Sequence, residues 1–293
     1  MEHQLFKQIL AVMNVVDKPR RNPCCKFSME DIIRVWFWAV LNDRPVIWAC
    51  DPKNWPLHER RRPLPSSSTM SRRLRRQDVQ TLIRNIEQHL LRSQGNKPLA
   101  WMIDGKPLVI GNASKDRQAG FGRAVRGKAK GYKLHSLIGM DGSIAAWRVA
   151  PLNKDERIMA RRMLRGADIQ GYVLADGMYD SNPLHEICEA RGELQLVAPP
   201  RGGYHRPRRR RAQSNGRRRA IALLENPQSK FGRELLKERD AIERSFGNLS
   251  NWGGGLTHLP PWARTHRRVH RWVQAKLIIN AIKHPVKNTT YVN

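Results

Sequence analysis

The pattern of apolar and polar positions changes near residue 95 of the chain. Before that point, apolar residues recur at helical spacing in two stretches, and each stretch follows a helix-capping signal. Ser28-Met-Glu-Asp31 has the form of a capping box in front of the apolar run from Ile32 to Leu41. Ser66 to Thr69 supply N-cap candidates for a helix that continues to about residue 92. Residues 1–95 are therefore predicted to form a small all-α domain.

Beyond residue 95, short apolar runs alternate with amphipathic segments. This alternation predicts a layered α/β domain with a mixed sheet flanked by helices, covering residues 96–285. The turn Met140-Asp141-Gly142 is expected to join two of the strands as a hairpin. Strands are predicted at 99–104, 131–139, 143–150, 171–176 and 193–200, and helices at 155–166, 182–191 and 230–249.

The charge balance points to a polyanionic partner. The 293 residues include 54 Lys and Arg against 25 Asp and Glu, a formal net charge of +29. Nucleic acid is the first candidate partner and an anionic membrane surface the second. The cations are mostly Arg, whose planar fork matches two phosphate oxygens, and this bias favours nucleic acid. A purely solubilising surface rarely needs so large an excess of one sign.

Two arginine-rich segments are candidates for DNA contacts. Arg72, Arg73, Arg75 and Arg76 lie in the segment 66–77, which has the form of a helix-turn-helix recognition helix or, equally, of an amphipathic helix with a basic solvated face. Residues 201–220 hold nine arginines and few apolar groups, so an insertion loop is predicted over 201–225. It is expected to become ordered on a phosphate backbone, or else to be a solvated loop without function. Its candidate contacts are Arg208, Arg209, Arg210, Arg211, Arg217, Arg218 and Arg219.

Cysteine spacing and hydropathy indicate the cellular compartment of the protein. Cys24, Cys25, Cys50 and Cys188 have neither metal-ligand spacing nor the pattern of a disulfide framework, so reduced thiols are expected. The most apolar stretch, 32–41, is too short to span a bilayer. The opening residues do not resemble a signal peptide. These features predict a cytoplasmic, soluble protein.

Three acidic residues stand out by position. Asp104 and Asp176 each follow an apolar strand, and Glu243, next to Ile242 and three residues before Phe246, is placed near the buried face of its helix. A buried carboxylate needs a partner, and Mg²⁺ or Mn²⁺ would draw three of them together. Two such ions suit the displacement of a phosphodiester oxygen. The alternatives for each acid are a cap, a turn or a salt bridge to Arg.

These residues carry a resemblance to bacterial insertion-sequence transposases of the DDE type, which have a ribonuclease-H-like catalytic core. The resemblance covers roughly residues 95–285 and includes "WMIDG", "GYKLHSLIGMDG", "APLNKDE" and "ADGMYDS". The family signature Tyr-x2-Arg-x3-Glu-x6-Lys is half retained: Arg239 and Glu243 match it, whereas Leu236 and Ser250 replace its Tyr and Lys. That departure concerns the DNA contact usually given to the Lys.

The resemblance implies a function and a set of roles. Asp104, Asp176 and Glu243 would be the catalytic acids and would hold the two metal ions, with Arg239 placed to contact a phosphate. The reaction would be metal-dependent strand cleavage at the ends of an element, followed by attack of the freed 3′-hydroxyl on target DNA. The partners would be the element's terminal inverted repeats and target DNA, with a homodimer in the active complex at the bacterial nucleoid. A nuclease without transfer activity and a non-catalytic, domesticated DNA-binding protein remain as alternatives.

Overall fold

The computed structural model describes residues 2–20, 24–92, 97–200, 213–253, 255–256 and 259–284. The chain forms two compact units. The helical unit is drawn from residues 1–91 and 251–285, and the sheet unit from residues 92–250. Each unit is described by itself.

The helices have the following bounds: α1 Glu2–Val15, α2 Met29–Leu41, α3 Val46–Ala49, α4 Ser67–Arg73, α5 Gln77–Leu91, α6 Glu156–Gly166, α7 Asn182–Ala190, α8 Asn215–Glu225, α9 Phe231–Lys237, α10 Ala241–Gly247 and α11 His266–Lys283. The strands are β1 Ala100–Val109, β2 Gly120–Ala124, β3 Gly127–Gly139, β4 Ile144–Pro151, β5 Gly171–Leu174 and β6 Leu194–Val197. No helix in the described ranges combines the length and apolar character that crossing a membrane requires.

The predicted capping box forms at the start of α2. The Asp31 backbone N–H donates to Ser28 Oγ at 3.1 Å, and the Ser28 backbone N–H donates to the Asp31 carboxylate at 2.9 Å. Both pairs satisfy donors that would otherwise be left free at a helix start. The run that follows is buried from Ile32 to Val40, so the prediction of a buried helix here is confirmed.

The segment predicted as a recognition helix is interrupted. Ser66 Oγ accepts from the Thr69 N–H at 3.2 Å and caps α4, which ends at Arg73. The N–H groups of Arg75 and Arg76 then bond three residues back, in a turn, and α5 begins at Gln77. The expectation of one continuous helix through residues 66–77 is therefore wrong.

Helix α11 is a central element of the helical unit. It packs against α1, α2 and α5, and it buries Val269, Trp272, Val273, Leu277 and Ile278. Because these side chains need an apolar partner, the helix packs with residues far from it in sequence. The sequence had placed this segment with the sheet. The assignment of DNA binding to residues 1–95 and of catalysis to residues 96–285 remains a prediction.

The sheet unit is built on a mixed sheet. The strand order is β2-β3-β1-β5-β6, and β4 also pairs with β3. β1 runs antiparallel to β3 and parallel to β5, and β5 runs parallel to β6. Helices α6 and α7 connect the strands and pack with them over a core that includes Trp101, Ile103, Leu164 and Leu196. This arrangement confirms the predicted ribonuclease-H-like α/β fold.

Three features of the sheet unit differ from the sequence expectations. β1 continues to Val109, so Asp104 lies inside a strand rather than at its end. Strand β2 was not predicted, because its residues, GFGRA, carry little apolar pattern. The predicted insertion loop includes α8, which Ser214 caps and which buries Ala220 and Leu224. Residues 201–212 lie outside the described residues.

Candidate active site

Asp104 lies on β1 where its neighbouring strand stops. β1 pairs in parallel with β5 from Ala100 opposite Tyr172 to Met102 opposite Leu174. Asp104 and Asp176 each stand two positions after the last of these pairs. Side chains alternate along a strand, so extending this pairing by two positions puts both carboxylates on the same side of the sheet. The negative charge of Asp176 acts on Asp104, as this proximity requires. The sequence could predict both acids, but only the register brings them together.

The Asp104 carboxylate is held in an unfavourable environment. Burial, and to a smaller extent the negative charges of Glu156 and Asp176, raise its pKa from 3.8 to about 6. The Gly105 N–H, which donates to Asp104 Oδ1 at 2.7 Å, and the positive charge of Arg239 act in the opposite direction. Three acids and one arginine are therefore close enough to act on one another electrostatically.

Asp176 begins the turn after β5. Its Oδ1 accepts the Met178 N–H at 2.7 Å, and its backbone carbonyl accepts the Tyr179 N–H at 3.1 Å. The turn interpretation of this acid is thus correct for one carboxylate oxygen. The hydrogen bond from Met178 engages only Oδ1, so the turn fixes the carboxylate without using all of its acceptor capacity.

Glu156 is the acid that sequence reasoning missed. It begins α6, where a negative charge is favoured, and its carboxylate forms an ion pair with Lys133 of β3. The Tyr179 hydroxyl donates to Glu156 Oε2 at 3.0 Å. The signal was available, since Glu156 ends the "APLNKDE" segment and Tyr179 lies in "ADGMYDS".

A glycine makes room for this network beside Asp104. A Cβ atom on Gly105 would lie 2.7 Å from Lys133 Cδ and 3.3 Å from His135 Nδ1. His135 is 1% exposed, and burial lowers its pKa to about 4, so the ring is neutral and adds no charge. The Lys133 side chain can therefore cross β1 and reach the Glu156 carboxylate. This ion pair holds Glu156 near Asp104.

Glu243 is exposed on α10, contrary to the expectation that it lies near the buried face. Ile242 and Phe246 are the buried residues of this helix, and α10 packs against β1, the strand of Asp104. Arg239, in the turn before α10, lies 3.5 Å from Asp240 and acts on the charge of Asp104. The structure therefore places Arg239 beside the aspartates and leaves Glu243 on the surface of an adjoining helix.

The donor set suits a hard divalent cation. Asp104 and Asp176 offer carboxylate oxygens, the ligands that Mg²⁺ and Mn²⁺ prefer. Burial is the main cause of the raised Asp104 pKa, and the repulsion from Asp176 that adds to it is what a cation between the two aspartates would relieve. No three His, Cys, Asp or Glu side chains within the described ranges already surround a common point as a metal site would require. The two aspartates therefore offer oxygen ligands that fit the ion, and no third acid among the described residues shares a common point with them.

The raised pKa of Asp104 predicts a pH-dependent stability difference in the metal-free protein. Because the folded pKa of about 6 exceeds the ordinary value of 3.8, the ionised carboxylate destabilises the fold above pH 6. Asp104→Asn should therefore raise the free energy of unfolding by about 1–3 kcal/mol at pH 8, with no gain at pH 4. Denaturant unfolding with a chelator present measures this.

The control for that experiment is Asp17→Asn, which removes an exposed carboxylate from the helical unit. Its stability difference should not grow between pH 4 and pH 8. If Asp104→Asn raises the free energy of unfolding equally at both pH values, the ionised Asp104 carboxylate is not what destabilises the fold.

The predicted DNA-binding arginines of the sheet unit divide into three groups. Arg217 donates through Nε and Nη2 to both oxygens of Asp180 at 2.7 Å, so its fork is already occupied by a carboxylate, which argues against the predicted DNA contact. Arg218 and Arg219 are exposed on α8, although Arg219 lies 3.5 Å from Glu189. Arg208, Arg209, Arg210 and Arg211 lie outside the described residues.

The arginines near α4 also differ in burial and in their partners. Arg73 is buried, and its Nη1 donates to the Phe27 carbonyl at 2.8 Å. Arg76 is exposed but lies 3.3 Å from Asp78. Arg72 and Arg75 are exposed without an acidic partner among the described residues. Arg73 is therefore engaged within the fold, whereas Arg72 and Arg75 are the arginines most accessible to solvent.

Comparison with known proteins agrees with this geometry. No curated protein matches the chain. The sequence profile of the family described as "Transposase DDE domain" matches residues 96–279, more than half of the 293 residues. The matched region includes Asp104, Asp176, Glu156 and Glu243. DDE transposases are enzymes that act on DNA and generally use divalent metal ions, and this chain belongs to the DDE transposase family.

Proposed function

We propose that this protein cleaves DNA strands at the ends of an insertion sequence and joins the freed 3′-hydroxyl to target DNA. The observation that carries the proposal is the register of β1 and β5, since Asp104 and Asp176 each lie two positions beyond the last pair of these neighbouring parallel strands. Two carboxylates that repel each other and offer hard oxygen ligands suit metal-dependent phosphodiester chemistry.

The residues have distinct roles in this proposal. Asp104 and Asp176 hold Mg²⁺ or Mn²⁺, and Glu243 of α10 completes the ligand set for two ions when DNA is bound. The ions supply Lewis-acid stabilisation of the charge that develops on the phosphate. Glu156 is held in place by its ion pair with Lys133 and by the hydrogen bond from Tyr179, and it adds its negative charge to the acidic side of the site. Arg239 binds a non-bridging phosphate oxygen next to Asp104.

Double-stranded DNA is the proposed partner, both as terminal inverted repeats and as target. Arg72 and Arg75 of the helical unit and Arg218 and Arg219 of α8 are exposed and remain as backbone contacts. The arginines of 208–211 keep that role as a sequence-based proposal. A homodimer is proposed for the active complex, because two element ends must be processed together.

Strand transfer is tested with a pre-cut donor. Duplexes should carry the element's ends, taken from the DNA that flanks the coding sequence, with a 3′-hydroxyl on the transferred strand. In Mg²⁺ the protein is expected to join this donor to a supercoiled plasmid. Gel electrophoresis detects the branched product.

A donor that ends in a 3′-deoxy nucleotide is the matched control, because it lacks only the attacking hydroxyl. It should bind equally and give no joined product. Cleavage of an uncut end without joining of the pre-cut one would favour the nuclease alternative. Binding with neither reaction would favour a non-catalytic DNA-binding protein.

A further inference from the structure

Arginines from two distant parts of the sequence meet in the helical unit. Arg75 lies in the turn between α4 and α5, and Arg267, Arg268 and Arg271 lie in the first turns of α11. Arg271 Nη1 reaches the Leu74 carbonyl at 3.4 Å, which brings α11 to that turn. We call these four residues the arginine cluster. Only Arg75 among them was a candidate from the sequence.

No acidic residue in the described part of the chain balances the charge of the cluster. Burial, followed by the positive charges of Arg267, Arg75 and Arg268, lowers the pKa of Arg271 to about 10. Two adjoining depressions, of about 270 and 310 Å³, are lined by members of the cluster, and no described lining residue is Asp or Glu. None of the four arginines forms an ion pair with another described residue. Several like charges held together without a counter-ion repel one another, and an anion would relieve that repulsion.

The position on α11 adds to the imbalance. The helix has 18 residues, has no acidic residue in its first turn, and receives no side-chain cap from Thr265. The start of a helix favours negative charge, so cations there work against the helix dipole. A bound anion would reverse this, because it would face both the guanidinium groups and the backbone N–H groups of the first turn.

We infer that the arginine cluster is a phosphate-binding site for the DNA backbone. Guanidinium forks bind phosphate oxygens in pairs, and a cluster that spans two elements is suited to more than one phosphate. The inference rests on the proposed function only in taking duplex DNA as the polyanion. The sequence predicted DNA contacts only in residues 66–77 of the helical unit. The inference adds contacts from α11, which follows the catalytic segment in sequence.

The test is the salt dependence of DNA binding by the full chain with a chelator present. Arg267 and Arg268 are exposed, so Arg267→Gln with Arg268→Gln should leave the fold intact, which thermal melting checks. The slope of log K against log salt is negative, and each lost phosphate contact reduces its magnitude by about 0.9. This variant, which loses two contacts, should therefore show a slope that is smaller in magnitude by about 1.8. Fluorescence anisotropy with a labelled duplex of random sequence gives the slope.

Two variants provide matched controls. Lys18→Gln with Arg62→Gln removes the same charge from residues that already pair with Glu30 and Glu59, and its slope should stay near that of the parent. Arg267→Lys with Arg268→Lys keeps the charge and should keep the slope. Equal loss in the cluster variant and the Lys18/Arg62 control, or no loss in either, would overturn the inference.

A second arm separates DNA from other phosphate sources. Vesicles containing phosphatidylglycerol present the same group on a membrane surface. If the cluster variant loses affinity for the vesicles but not for the duplex, the site is a lipid site and the inference is wrong. These experiments measure binding and not catalysis, so the two failures can be told apart. If the proposed reaction is wrong, cleavage will be absent but the measured salt slopes will be unaffected.

Discussion

Asp104→Asn and Asp176→Asn are each expected to reduce Mg²⁺-dependent DNA cleavage by at least about a thousand-fold, equivalent to about 4 kcal/mol of transition-state stabilisation. The reason is geometric: the two carboxylates are aligned by the register of β1 and β5, and neither Asn can replace a charged oxygen ligand. DNA affinity should persist, because removing a negative charge does not weaken attraction for phosphate. Cleavage assays and anisotropy on the same samples measure both quantities.

Asp168→Asn is the matched control, since Asp168 is 85% exposed in the sheet unit and pairs only at the surface with Lys97. It should cleave like the parent protein. Glu243→Gln and Glu156→Gln then identify the third acid. The proposal expects the larger loss from Glu243→Gln; the reverse order would assign the ligand role to Glu156. Full activity in either aspartate variant would refute the site.

Arg217→Gln is expected to destabilise the protein by about 3–5 kcal/mol, because it removes a bidentate cation from a buried carboxylate. The Asp180 side chain is 2% exposed, and Arg217 binds both of its oxygens at 2.7 Å. His185 Nε2, 3.2 Å from Asp180 Oδ1, remains as a contact but does not replace a bidentate cation. Denaturant unfolding measures the loss.

Arg219→Gln on the same helix is the control. Its guanidinium is 56% exposed and lies 3.5 Å from Glu189, so the loss should stay below about 1 kcal/mol. If the two variants are equally stable, Arg217 does not anchor α8 to the turn after Asp176. It would then return to the set of DNA-contact candidates.

The sequence predicted the sheet unit well because its signals are local. The apolar runs of β1, β3, β4 and β5, and the helix after Asn182, all recur in the structure within a few residues. β2 escaped because its stability comes from pairing with β3 rather than from its own composition. Asp104 was placed at a strand end because its apolar run stops there, although pairing with β3 carries the strand on.

Side-chain partners were the part that the sequence could not supply. Arg217 and Arg218 are identical neighbours in the sequence, yet one is bound to buried Asp180 and the other is exposed. Glu156 looks like an ordinary first-turn acid until Lys133 and Tyr179 are seen to hold it near Asp104. Such roles depend on contacts between residues more than twenty positions apart, which spacing along the chain does not encode.

The discontinuity of the helical unit has a consequence for how the protein is made. During translation, α1 to α5 leave the ribosome long before α11, with the whole sheet unit synthesised in between. Until α11 arrives, the surfaces of α1, α2 and α5 that it covers lack their apolar partner, and the arginine cluster does not exist. A nascent or prematurely terminated chain would therefore carry Asp104 and Asp176 but would lack part of the proposed DNA-binding surface.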